Sequence, residues 1–234
     1  MEHNDLARRM AALARELQES RDLQATIEHA VELADKNIVD CDGAAISLVR
    51  RGRDMDTPAA TDESAAAADR LQVELGQGPC LDAIAERRLV ASDDLVDDAR
   101  WPAWGPRVAA DTGLRSALCF RLFTQGATVG ALSLYSRRVQ GFGEVDREVG
   151  GVLAAHVAVA MATAQQVETL GVAVDARTVI GQAQGILMER YDIDAERAFA
   201  VLKRISTTSN VKLHEIAQRL VVERTLPKPP QPTG

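Results

Sequence analysis

Aromatic residues are scarce, with two Trp, two Tyr and four Phe in 234 residues. Any core must therefore be built from aliphatic and alanine side chains, and each ring carries weight where it occurs. Cysteine is scarcer still. Cys41, Cys80 and Cys119 are odd in number and lack C-x-x-C spacing, which argues against a disulfide framework and a zinc site and leaves reduced thiols. Sustained apolarity of membrane-spanning quality is also missing, because the stretch 150–164 is alanine-rich and carries His156. No apolar run follows Arg8 and Arg9, so no secretory signal is expected and the protein reads as cytoplasmic. A G-x-x-x-x-G-K-[ST] phosphate loop is absent, and the order of elements does not supply the acids and lysine of a phospho-acceptor domain.

What is present fits one large or two modest globular domains: 46% of residues are hydrophobic and 26% charged. The net charge of -7 disfavours polyanion binding in general, but it is unevenly spread. From Thr163 onward nine Lys and Arg face eight Asp and Glu, whereas eighteen face twenty-six before it. An acidic front and a neutral-to-basic back suit a two-part protein whose polyanion contacts lie at the C-terminal end.

Leu6, Met10, Leu13 and Leu17, then Leu23, Ile27, Ala30, Val31 and Ala34, recur at helical spacing and predict helix over 6–37, with a break near Ser20 and Asp22. The period then changes. Strands are expected at 44–49, 55–61 and 90–92, with helix over 64–75 and 81–86. Two stronger strands, 116–124 and 128–136, are joined by the hairpin signal Gln125-Gly-Ala. Trp101 and Trp104 mark the start of another helix, with one or both indoles packed inside. A long helix follows over 145–190, then shorter ones over 194–207 and 212–225, before a proline-rich tail over 226–234.

The succession Leu23-Gln-Ala-Thr-Ile, Asp42-Gly-Ala-Ala-Ile-Ser-Leu, Gly76-Gln-Gly-Pro-Cys-Leu-Asp-Ala, Arg100-Trp-Pro and Gly130-Ala-Leu-Ser-Leu-Tyr-Ser resembles the GAF domains of actinobacterial GAF and ANTAR regulators. That resemblance implies an antiparallel sheet with helices on both sides that binds an unidentified small molecule or dimerises. Cys80 follows Gly78 and Pro79 near a helix start, so its thiol is either a ligand contact with lowered pKa or a buried apolar group. Cys119 alternates within a strand and reads as core. His156 has no second ligand one helical turn away, so a metal role is not expected. Asp93, Asp94, Asp97 and Asp98 read as a solvated loop rather than a metal cluster.

Val167, Leu170 and Val174 extend a coiled-coil-like seam down from Ala160, and dimerisation through this helix is expected. Three apolar stripes follow: Ile180, Ala183, Leu187 and Tyr191; then Ala195, Ala198, Phe199, Leu202 and Ile205; then Leu213, Ile216, Ala217, Leu220 and Val221. Gly181 and Gly185 suggest close helix packing. Cations, hydroxyls and amides gather where Lys203 and Arg204, the turn 206–210 and Lys212 meet; they serve either phosphate contact or capping.

Arg177-Thr-Val-Ile-Gly-Gln-Ala-Gln-Gly-Ile-Leu-Met-Glu-Arg, Ala198-Phe-x-x-Leu, Ser206 and Asn210-x-Lys-Leu-x-x-x-Ala resemble the ANTAR module. The resemblance implies binding of paired RNA hairpins to block a terminator, with Arg177, Gln184, Lys203, Arg204, Ser206, Asn210 and Lys212 as RNA-facing residues. Gln184 stands where that family often has Lys. The expected fold is α+β: a GAF-like antiparallel sheet flanked by helices over 1–160, then a coiled-coil-like linking helix and three-helix ANTAR module over 161–225. The expected function is a homodimeric, sensor-regulated RNA-binding antiterminator that is not an enzyme, with no membrane partner and no identified cofactor. Two short helices with a turn also suit a DNA-binding transcription factor. Thiol chemistry at Cys80 is a third reading, for which no paired base or resolving cysteine is visible.

Overall fold

The computed structural model describes residues 12–17, 22–49, 55–85, 89–124 and 128–225. Most of the early half of the first predicted helix, the loop 125–127 and the tail 226–234 lie outside the described residues. The chain divides into two compact units, Met1–Gln166 and Val167–Gly234.

The first unit begins with helical residues 12–17, then helix α1 (Leu23–Asn37). Asp22 caps α1 by accepting the Ala25 N–H at 2.8 Å, which explains the break read between the two apolar stretches. Strands β1 (Gly43–Val49) and β2 (Met55–Ala60) follow, then α2 (Glu63–Leu75), capped by Asp62 in the same way. Gly76 closes α2 in the left-handed region at φ 65, a conformation that costs a residue without Cβ little. The remaining elements are α3 (Pro79–Ala85), β3 (Leu89–Ser92), α4 (Trp104–Thr112), β4 (Ser116–Phe123), β5 (Thr128–Ser136) and the start of α5 (Glu144–Tyr191).

The sheet is antiparallel throughout, in the order β2-β1-β5-β4-β3. Because successive side chains alternate between faces, it separates two cores. Ile46, Leu118, Phe120, Leu132 and Leu134 face α1 and α5, meeting Ile27, Val31, Leu153, Val157 and Met161. Ala45, Ala117, Cys119, Ala131 and Tyr135 face the opposite layer, with Ala68, Cys80, Trp101, Trp104 and Val108. Both indoles are buried, as the sequence suggested. Gly150 lets α5 approach the sheet, since a Cβ there would stand 2.5 Å from the Phe120 ring.

Among the described residues α5 is long and apolar enough to cross a membrane by length and composition, despite His156. Part of that apolarity belongs to the sensor core, where Val149, Leu153, Val157 and Met161 are buried.

In the second unit the end of α5 meets α6 (Ala195–Ser209) and α7 (Leu213–Glu223). Its core is Ala183, Leu187, Ala198, Leu202, Ile216, Ala217 and Leu220. Three residues assigned to the apolar stripes are not inside: Tyr191, Ala195 and Phe199 are all exposed. The small residues Ala183, Ala198 and Ala217 bring the helices together over a core too narrow to cover either ring. Asp194 caps α6, accepting the Arg197 N–H at 2.8 Å.

Candidate functional site

The first unit holds a fully buried polar cluster between the sheet and α2. Along α2, Ala65, Ala68, Asp69 and Gln72 share the inward face, placing a carboxyl and an amide under β1 and β5. Asp69 Oδ2 accepts the Ser47 hydroxyl at 2.5 Å, and Oδ1 accepts the Tyr135 hydroxyl at 2.5 Å and the Gln72 amide at 3.1 Å. Gln72 also donates to the Tyr135 oxygen at 3.0 Å and accepts the Cys80 backbone N–H at 2.7 Å. Burial pushes the Asp69 carboxyl up from its usual range, against the lowering effect of its hydrogen-bond donors. The same burial, with Asp69 nearby, pushes the Tyr135 hydroxyl up. Ser133 Oγ is buried beside Asp69, Cys80 and Cys119, with no hydrogen bond of good geometry among the described residues.

Cys80 lies in this cluster, fully buried at the start of α3. Its pKa is raised well above that of a free thiol, first by desolvation and then by Asp69, the reverse of the lowering a helix start alone would give. Cys119 is likewise buried and raised, and Cys41 is pushed up to about 12 by burial. These are poor nucleophiles near neutrality, since the thiolate is the reactive form.

The acidic loop is engaged by arginines. Asp94 pairs with Arg115 at 2.6 Å, Asp98 with Arg100 at 2.6 Å, and Asp93 with Arg147 at 3.6 Å. The guanidinium of Arg115 holds the Asp94 carboxyl below its usual range, and that of Arg100 does the same for Asp98. No cluster of three or more metal-ligating side chains occurs among the described residues. A separate groove of about 850 Å³ runs beside α5, lined by Leu89, Phe120, Phe123, Ala155 and Val159, with Arg121 among its polar residues.

In the second unit, Arg177, Lys203, Arg204 and Lys212 are all exposed, and no ion pair among the described residues engages them. Lys203 and Arg204 are consecutive on α6 and so point about 100° apart. Lys203, Ser206 and Asn210 instead share a face, at i, i+3 and i+7. The Ser206 hydroxyl donates to the Val211 carbonyl at 2.6 Å, and Asn210 ends α6 in the left-handed region at φ 52. Thr207, Thr208 and Ser209 donate to carbonyls of their own helix, so the turn's hydroxyls are partly spent on capping. Gln184 is half-buried, and its amide donates to the Ala195 carbonyl at 3.0 Å, tying α5 to the start of α6.

A sheet layered between helices is thus followed by a three-helix module with surface cations that no ion pair among the described residues engages. The chain belongs to the GAF domain family, whose model matches residues 20–162. Residues 168–221 match the ANTAR domain. GAF is a sensor domain and ANTAR an RNA-binding antitermination module.

Among solved structures, the chain is similar to the GAF domain of a phosphoenolpyruvate-protein phosphotransferase from Coxiella burnetii. The TM-score is 0.59 at 14% identity, over 70% of this chain and 96% of that one. It is also similar to the reduced form of fRMsr of Staphylococcus aureus, at TM-score 0.54 and 14% identity, over 67% of this chain and 94% of that one. The bacteriophytochrome RpBphP3 of R. palustris aligns at TM-score 0.57 and 11% identity, over 85% of this chain and 46% of that one. At such identities these likenesses concern the fold alone. No curated protein matches the chain by sequence.

Proposed function

We propose that this protein is a cytoplasmic, homodimeric transcription antitermination regulator of the actinobacterial GAF and ANTAR type, in which a signal received by the sensor unit controls binding of the second unit to hairpin RNA. The observation that carries the reading is the set of unpaired cations in a unit matching an RNA-binding module, within a protein whose net charge is -7. On an acidic chain such cations attract phosphates only where they are locally free of carboxylates. No ion pair among the described residues engages Arg177, Lys203, Arg204 or Lys212, while Gln184, Ser206 and Asn210 contribute hydrogen-bonding groups beside them.

Dimerisation is supported by α5. Val145, Val152 and Val159 are exposed at heptad spacing, and Val167, Leu170 and Val174 continue as exposed apolar residues. A partner helix would remove that surface from water. The small molecule is unidentified; the groove beside α5, about 850 Å³, has the room to take it, and Cys80 is a ligand contact only if the sensor unit opens around that buried thiol. Mass spectrometry of compounds retained by the purified protein would identify it.

The test is a gel-shift titration of the full chain with hairpin RNA, competed by duplex DNA. RNA binding that duplex DNA does not displace is the expected result, and preference for the duplex would favour the transcription-factor reading. Lys203→Ala combined with Arg204→Ala is expected to weaken RNA binding and flatten its salt dependence with no loss of fold. Unchanged binding would remove these cations from the interface.

A further inference from the structure

Five of the six aromatic side chains in the first unit are buried: Trp101, Trp104, Phe120, Tyr135 and Phe142. The second unit has two, Tyr191 at 56% exposure and Phe199 at 39%. Its helix glycines are equally unexplained by internal packing. A Cβ at Gly181 or Gly185 would meet nothing within 4 Å, whereas Gly150 has the Phe120 ring against it. Glycine in a helix interior costs roughly 1 kcal/mol against alanine, and no contact among the described residues offsets that here.

The two anomalies adjoin. Arg177, Gly181, Gln184, Met188 and Tyr191 recur at i, i+4, i+7, i+11 and i+14 and form one face of α5. Phe199, Lys203, Ser206 and Asn210 recur at i, i+4, i+7 and i+11 along α6. Ala195 stands one helical repeat before Phe199, and its carbonyl holds the Gln184 amide, so the two faces border one another. The result is a smooth patch with rings at its edges and the unpaired cations Arg177 and Lys203 on the two helices.

The geometry points to this patch as a platform for unpaired nucleobases of an RNA loop, with Phe199 stacking on a base and Arg177 and Lys203 holding adjacent phosphates. The inference rests on the RNA reading above. Rings stack on any base face, cations beside them neutralise the backbone, and helix glycines let a base approach main chain that a side chain would shield. A second copy of the chain fits less well, because it would bring another Arg177 and Lys203 against the same cations.

The test uses the full chain and a pool of RNA stem-loops with a fixed stem and a randomised loop. The wild-type protein is expected to select particular loop bases. Phe199→Ala should bind the selected hairpin about 5- to 150-fold more weakly, the range that loss of one aromatic stack produces. Phe199→Trp should restore binding, and a hairpin with abasic loop positions should bind wild type and Phe199→Ala alike. Gly181→Gln, which fills the patch without meeting anything in the chain, should weaken binding while keeping the thermal melt.

Equal binding by wild type and Phe199→Ala overturns the platform and leaves the RNA reading intact. Loss of the dimer in Phe199→Ala, measured by light scattering, assigns the ring to self-association and also overturns it. Failure of the wild-type protein to bind any member of the pool sinks both readings together.

Discussion

Replacing Tyr135 by Phe removes one hydroxyl from the sensor interior and leaves the ring in place. The hydroxyl donates to Asp69 at 2.5 Å and accepts from Gln72 at 3.0 Å. Gln72 keeps its own bond to Asp69 at 3.1 Å, so the main loss falls on the carboxylate. A hydrogen bond contributes about 0.5–1.5 kcal/mol to a neutral partner and about 1.5–3 kcal/mol to a charged one, and for a unit of this size each kcal/mol moves Tm by roughly 2–4 °C. The expected fall is therefore roughly 1–12 °C in a circular-dichroism melt near neutrality.

The pH dependence has a definite sign. Burial raises the folded carboxyl above 3.8, so stability linked to Asp69 is fully present below that value and lost as pH rises through the folded pKa. While protonated, the carboxyl holds the hydroxyl only as a neutral pair worth about 1 kcal/mol, and the gap between wild type and variant should grow as pH rises through the folded pKa. A gap below about 0.5 kcal/mol near neutrality, or one that widens in acid, would refute the reasoning.

Other outcomes follow from the same structure. Asp69→Asn has no proton to lose, so relative to wild type it should gain stability as pH rises, with urea midpoints converging in acid. Gly150→Ala should destabilise by about 1–3 kcal/mol because the Phe120 ring must move, while Gly171→Ala, with open space around it, should stabilise by about 1 kcal/mol in the same denaturant titration. Leu170→Glu with Val174→Glu should yield a folded monomer by light scattering and a weaker RNA complex; a persistent dimer would place the seam elsewhere. A chromogenic disulfide reagent near neutrality should react slowly with native protein and rapidly in denaturant, because burial raises the pKa of all three thiols.

Much of the fold was legible because each element carries its own period. The alternation in β4 and β5 and the helical spacing of Leu23, Ile27, Ala30 and Val31 match the observed faces. The Asp69 cluster was missed because an acid within an alanine-rich helix looks like surface. Its signal was positional: Asp69 shares the α2 register of Ala65, Ala68 and Gln72, an inward stripe. The Asp-rich loop was read as solvated, and its arginine partners were invisible because Arg115 and Arg147 come from later elements. Tyr191 and Phe199 fit helical stripes by spacing, but spacing cannot reveal that alanines close a core before rings enter it. The opening created by Gly181 and Gly185 likewise emerges only when their surroundings are known.

The sheet order also fixes a sequence of events in time. β1 with β2, and β3 with β4, are pairings of chain neighbours, but the two pairs meet only across β5, where Gly43 faces Tyr135 and Ser116 faces Ser136. Such remote pairing folds slowly, whereas the contacts of α6 with α7 are local and fold fast. A nascent chain that has not yet made β5 holds two separate strand pairs with four open edges between them. Synthesis of that one strand marks the point at which half-sheets prone to misassociation become a single sheet.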